Sequence, residues 1–189
     1  MGKQYHHGEL RQALLEAVDE LVRTKGADAV TLRACARMAG VSHAAPLHHF
    51  KDHHALLSAY VAWKWIGVAQ LMRARREAAG DDPFAVLTAI GMAYIESGMS
   101  TPGLFSLLLR PDLCPRPGLE GFKDGSGRAH DELVQAVARC AGKHDEGLVE
   151  LAWSSVHGFV ELQLLGGVTQ WEEKAAAMIE RMRPIFFAG

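Results

Sequence analysis

Apolar positions recur at three- and four-residue spacings along nearly the whole chain, and no stretch alternates apolar and polar residues long enough to make a strand. The pattern predicts an all-α protein of about nine helices. Leu10, Leu14, Ala17, Val18, Leu21 and Val22 form one stripe of a first helix over about 8–24, which Lys25-Gly26 ends. A second helix is expected at 32–39 and a third at 43–50. Lys51-Asp52 opens a long fourth helix to about Ala79, with Leu56, Leu57, Tyr60, Val61, Val68, Leu71 and Met72 facing inward. Gly80-Asp81-Asp82-Pro83 is the clearest break. Beyond it, helices are expected at about 84–98, 102–109, 127–141, 145–165 and 169–186, with a Pro- and Gly-rich loop over 110–125. The organisation expected is a module over 1–52 followed by a helical body over 53–189, coupled through the fourth helix.

The stretch Thr31–Phe50 reads as two short helices joined by the tight turn Ala39-Gly40-Val41. Thr31 and Ser42 are residue types whose hydroxyls accept from a free backbone N–H at a helix start. Gly40 can take the positive φ that such a turn needs, and Val41 can drop between the helices. Pro46 is expected in the first turn of the third helix, where a missing N–H matters least. Two capped short helices in this arrangement are the signature of a helix-turn-helix DNA reader.

Charge sharpens that expectation. The net charge is −2, but residues 1–79 hold eleven Lys/Arg against seven Asp/Glu, whereas residues 80–189 hold nine against fifteen. The basic excess lies with the helix-turn-helix segment, as phosphate binding requires. No apolar run approaches the ~18 residues that span a bilayer, and Met1–Glu9 is polar, so a cytoplasmic protein is expected. Cys35, Cys114 and Cys140 form no CxxC pair and are expected as buried apolar residues.

Residues 6–57 resemble the DNA-binding domain of TetR-type transcriptional regulators. The matching positions are Gly26 to Thr31, Gly40-Val41-Ser42, Leu47-His48-His49-Phe50 and Lys51-Asp52-His53-His54-Ala55-Leu56-Leu57. Trp153-Ser154-Ser155-Val156-His157-Gly158 is similar to the Trp-His-Gly segment in the ligand-binding half of one subgroup. This chain departs from the family pattern at Leu47, where a phosphate-contacting Tyr is usual, and at Pro46, where an aliphatic residue is usual. The resemblance implies a homodimeric regulator, usually a repressor, that leaves a pseudo-palindromic operator when a small molecule binds. By chemistry and family pattern together, Thr31, Arg33, His49 and Lys51 hold phosphates, helped by backbone N–H groups at the start of the fourth helix. Ser42 caps the reading helix, and His43, Ala44, Ala45 and His48 face the major groove, where imidazoles meet purine acceptors and Ala meets thymine methyls.

An aromatic set, Trp63, Trp65, Met92, Phe105, Trp153 and His157 with Glu96 nearby, marks a candidate ligand pocket. Helices 145–165 and 169–186 carry apolar residues on more than one face, so a second copy is expected to cover one of them, with Gly158 allowing close approach. Competing readings are a small helical enzyme and a plain helical dimerisation module. No activated nucleophile, paired catalytic carboxylates or nucleotide loop supports the enzyme, and a dimerisation module has no use for Thr31–Phe50. The His48, His49, His53, His54 cluster has no Cys or carboxylate pair to complete a metal shell, so no metal and no cofactor are expected.

Overall fold

The computed structural model describes residues 7–108, 110, 112–113, 125–166 and 170–187. They form eight α-helices: α1 (His7–Lys25), α2 (Leu32–Ala39), α3 (His53–Ala78), α4 (Pro83–Ser100), α5 (Pro102–Leu108), α6 (Gly125–Ala141), α7 (Glu146–Gly166) and α8 (Trp171–Phe186). Short 3₁₀ turns lie at Ala27–Ala29 and Ala45–His48. No strand occurs among the described residues. Cys114, Thr169 and most of the expected 110–125 loop lie outside them.

Two compact units emerge, and they do not follow the 1–52 and 53–189 partition. One comprises Met1–Lys64 with Thr101–Arg116, the other Trp65–Ser100 with Pro117–Gly189. The division falls within α3, which begins in the first unit and ends in the second. α3 is also long and apolar enough to cross a membrane by length and composition. Its apolar face is spent inside the protein, however: Leu56, Leu57, Tyr60, Val61, Trp65, Val68, Ala69 and Met72 are all buried.

In the first unit, α1 packs against α2, the 27–29 turn and α5. Leu14, Ala17, Val18, Leu21 and Val22 are buried as the stripe predicts, while Leu10 is half-buried. Burying each large member is worth ~1.5–3 kcal/mol. Gly103 lets α5 approach α1, since a Cβ there would stand 3.0 Å from both Val22 Cγ1 and its carbonyl oxygen. A polar clamp joins α1 to α3: Tyr60, fully buried, donates to Asp19 Oδ1 at 2.8 Å, and Lys64 Nζ donates to the same oxygen at 2.9 Å. Burial first, then the Asp19 carboxylate, pushes the Tyr60 phenol far above its ordinary range, so it remains a donor.

In the second unit, α4 is central and packs against α6, α7 and α8. Phe84, Val86, Leu87, Ile90, Ala93, Tyr94, Ile95 and Gly98 are all buried, so the helix is covered on several sides. Phe84 is 0% exposed; its ring centroid lies 6.4 Å from that of Phe186, with the Arg183 guanidinium 4.2 Å from its own. Arg76 bonds Glu132 at 2.6 Å, tying α3 to α6. Cys140 is buried here and Cys35 in the first unit; both are free thiols, and burial pushes each up to about 11.

Candidate functional site

The reading surface begins with α2. Thr31 is extended and its Oγ1 accepts from Ala34 N–H at 3.0 Å, the expected cap. At the other end Gly40 sits at φ 72°, and two bonds close the turn: Gly40 N–H to Arg37 O at 3.2 Å and Val41 N–H to Ala36 O at 3.0 Å. These are the paired bonds of a Schellman motif, and they set the exit direction of the chain. Cys35 and Ala36 turn inward, leaving Thr31 and Arg33 exposed.

The next segment departs from expectation. No α-helix spans 43–50; a single 3₁₀ turn occupies Ala45–His48. Ser42 does not cap it with its hydroxyl. Instead its carbonyl accepts from Ala45 N–H at 3.1 Å, and the N-cap residue, Ala44, has no side-chain cap. The reason lies in Pro46, which has no N–H to donate. Leu47 N–H reaches Ala44 O at 3.1 Å and His49 N–H reaches Pro46 O at 3.0 Å, both over three residues, and Phe50 N–H closes the segment on Pro46 O at 2.9 Å. Pro46 itself is buried, and Leu47 is 56% exposed where the family pattern has Tyr.

His43, Ala44, His48 and Lys51 are exposed, with Ala45 and His49 half-buried. Asp52 then caps α3, accepting from Ala55 N–H at 2.8 Å. Arg33, Arg37 and Lys51 engage no carboxylate among the described residues, whereas Arg73, Arg75, Arg76, Arg110 and Arg183 are each ion-paired. The unit thus presents uncommitted cations beside two capped helix starts, which suits it to an anionic backbone. His54 is turned elsewhere, with Nε2 2.9 Å from the Asp112 backbone carbonyl.

The second unit holds a partly open cavity of about 60 Å³. Its walls include Trp65 and Met72 from α3, Ile90 and Tyr94 from α4, His130 from α6, Trp153 from α7, and Met182 and Phe186 from α8. No Asp, Glu, Lys or Arg is among the described residues that line it. Trp65 and Tyr94 rings stand 6.3 Å apart, and Trp153 sits edge-on to both His130 and His157. The Tyr94 hydroxyl and His157 Nδ1 are hydrogen-bonded at 2.6 Å. Burial holds His157 below its ordinary value, so the neutral ring is favoured, with Glu161 opposing. Trp65 is 8% exposed, and its indole Nε1 is buried with no hydrogen-bond partner among the described residues.

The expected pocket residues are not brought together as one set. Trp153 lines the cavity, and His157 adjoins it through Tyr94. Met92 and Glu96 lie instead on an open groove with Arg75, Trp171 and Glu172, where Arg75 bonds Glu96 at 2.9 Å. Trp63 and Phe105 belong to the first unit: Phe105 is buried in α5, and Trp63 packs near Tyr60 with Lys64 over its ring. Tyr94, His130, Met72, Met182 and Phe186 were missed. Leu87, Ile90, Gly91 and Tyr94 do share one helical face, but periodicity marks a buried face without saying that it is hollow.

A helix-turn-helix unit with free cations, joined to a helical unit around an apolar cavity, defines a DNA-binding regulator. Residues 14–60 match the family of bacterial regulatory proteins called tetR, and residues 87–183 match the tetracyclin repressor-like C-terminal domain; the chain belongs to the TetR family. Among solved structures, it is 27% identical to a protein of unknown function from Rhodococcus sp. RHA1, with a TM-score of 0.76 over 99% of this chain and 98% of that one. The TetR family repressor AlkX from Dietzia sp. strain DQ12-45-1b, implicated in biodegradation of n-alkanes, shares the fold at 19% identity and TM-score 0.58, covering 98% of this chain and 97% of its own. The TetR family transcriptional regulator PfmR from Thermus thermophilus does so at 21% identity and TM-score 0.67, covering 93% and 97%. No curated protein matches the chain.

Proposed function

We propose that this protein is a cytoplasmic, non-enzymatic repressor that binds a pseudo-palindromic operator as a homodimer and is released by a small molecule held in the second unit. The carrying observation is that one chain pairs a helix-turn-helix bearing uncommitted cations with an apolar cavity, and that a single helix, α3, contributes to both units. Trp65 of the cavity wall directly follows Lys64, which is clamped to Asp19 of α1. A ligand that favours one placement of α3 over another therefore shifts the populations of DNA-competent and incompetent states; ~1.4 kcal/mol of differential affinity gives a tenfold change.

Phosphate contact is assigned to Thr31, Arg33, His49 and Lys51, and groove contact to His43, Ala44, Ala45 and His48, with Ser42 supporting the turn. Leu47 offers an apolar contact where a phenol would bond phosphate. Homodimerisation is assigned to α7 and α8, where Leu162 is 68% and Leu165 85% exposed, with Leu151, Ile185 and Phe187 also uncovered. A Cβ on Gly158 meets nothing within 4 Å, consistent with a face open to a second copy. We read residues 153–158 as the Trp-His-Gly segment of one subgroup.

Selection of randomised duplex DNA on the purified protein tests the proposal. An inverted repeat with half-sites about one turn apart, ~34 Å, is expected. Arg33→Ala and Lys51→Ala should each weaken binding to all sequences and, by removing one phosphate contact from each protomer of the dimer, make the log–log salt dependence shallower by about 1.8. Enrichment of no sequence overturns the operator assignment, and an unchanged salt slope in either variant overturns that phosphate contact.

A further inference from the structure

We infer that the cavity of the second unit takes an uncharged, mainly aromatic or alicyclic molecule carrying one hydrogen-bond acceptor, a carbonyl or ether oxygen, which receives the Trp65 indole N–H. This rests on the assignment of that unit as the ligand-binding half, and adds the chemistry the ligand must have.

Three observations converge. Among the described residues no carboxylate, ammonium or guanidinium lines the cavity, so a charged ligand would be stripped of water with no counter-ion there to meet it. The wall is rich in rings and in two methionines, Met72 and Met182, whose flexible thioethers can move aside. That movement is required, because about 60 Å³ is well below the several hundred Å³ of ordinary ligand pockets. Finally, Trp65 is more than nine-tenths buried and its N–H lacks a partner among the described residues, which a folded protein rarely tolerates. A buried donor left unsatisfied is a standing penalty that a ligand acceptor relieves. The other polar groups at the wall are differently placed: Tyr94 is bonded to His157, and His130 packs its ring against Trp153. Gly91 supplies space, since a Cβ there would stand 3.2 Å from Ile179 Cδ1 and 3.6 Å from Val156 Cγ1.

Acetophenone, isopropylbenzene and benzoate test this directly. They share a phenyl ring and heavy-atom count and differ only in acceptor and charge. Titration of the full-length protein should show acetophenone binding about tenfold tighter than isopropylbenzene. Benzoate should be weaker than either, by roughly a hundredfold relative to the ketone. In wild-type protein labelled with ¹⁵N-indole, the Trp65 N–H resonance should shift with acetophenone far more than with isopropylbenzene. Trp65→Phe keeps a ring and removes the donor; acetophenone, its carbonyl now buried without a partner, should then bind no tighter than isopropylbenzene.

Benzoate binding as well as acetophenone overturns the uncharged class. Equal binding of the neutral probes to wild type, or a ketone preference that survives Trp65→Phe, overturns the donor assignment. The wild-type resonance decides that point even if the variant does not fold. Binding of none of the three overturns the inference while leaving DNA recognition standing. Acetophenone binding that leaves DNA affinity unchanged overturns ligand-driven release and leaves the cavity chemistry standing.

Discussion

The reading surface and the cavity satisfy their physical demands by opposite routes. Along residues 31–55 the helix ends and the turn are closed by near neighbours in sequence: Ala34 by Thr31, Gly40 by Arg37, Val41 by Ala36, Ala55 by Asp52. The cavity takes its wall from five helices between Trp65 and Phe186, and no local rule fixes it. A surface built from local bonds holds its shape with little tertiary support and leaves its cations free. A cavity built from distant side chains leaves slack, in the form of empty volume and one unpaired donor. The first suits a rigid reader, the second a site that must yield to a ligand.

The largest expected effect breaks this contrast from the cavity side. Phe84→Ala removes a fully buried ring stacked near Phe186, a cavity-wall residue. It should destabilise the second unit by ~3–5 kcal/mol, because packed neighbours relax only partly around the void. Denaturant unfolding followed by tryptophan fluorescence, with Trp65 and Trp153 as reporters, measures it. A loss below about 1 kcal/mol would mean that the wall collapses freely and that the slack is larger than the empty volume shows.

A smaller effect sharpens the contrast from the other side. Thr31→Ala deletes the α2 cap and should cost about 1 kcal/mol, confined to the first unit. Thr31→Asp separates capping from DNA contact, since aspartate caps as well as threonine but repels phosphate. Stability should hold while DNA affinity falls several-fold. If Thr31→Asp binds DNA as wild type does, Thr31 is a cap and nothing more.

The same contrast explains what could be read in the sequence. α2 was legible to the residue, Leu32–Ala39, because Thr31 and Gly40 act on their own neighbours. The segment after the turn differs at Pro46: spacing predicts a helix over 43–50 capped by Ser42, and the chain instead forms a 3₁₀ turn over Ala45–His48 with Ala44 at its N-cap. In the pocket, aromatic content picked out Trp65 and Trp153 correctly as lining, yet the same criterion admitted Phe105, a core residue of the first unit. Glu96 was placed near a ligand on charge, and the structure gives it to Arg75. Which side of a buried helix is hollow depends on residues far away in sequence, and one-dimensional spacing does not carry that information.

The smallest expected effect concerns pH, and it belongs to the cavity side alone. Burial disfavours the charged His157 ring, so its pKa in the folded state lies below its ordinary value of 6.5, with Glu161 partly opposing. Between those two values the unfolded chain binds more protons than the folded one, so stability rises with pH there. The contribution is fully present above 6.5 and is lost as pH falls through the folded-state pKa. Thermal unfolding at about pH 7.5 and about pH 5 should therefore show a larger drop for wild type than for His157→Gln, whose amide oxygen can still accept from Tyr94. Every other group is common to both proteins and cancels in the difference. Equal drops would show that His157 escapes its burial on acidification, and that the Tyr94–His157 pair beside the cavity is itself yielding.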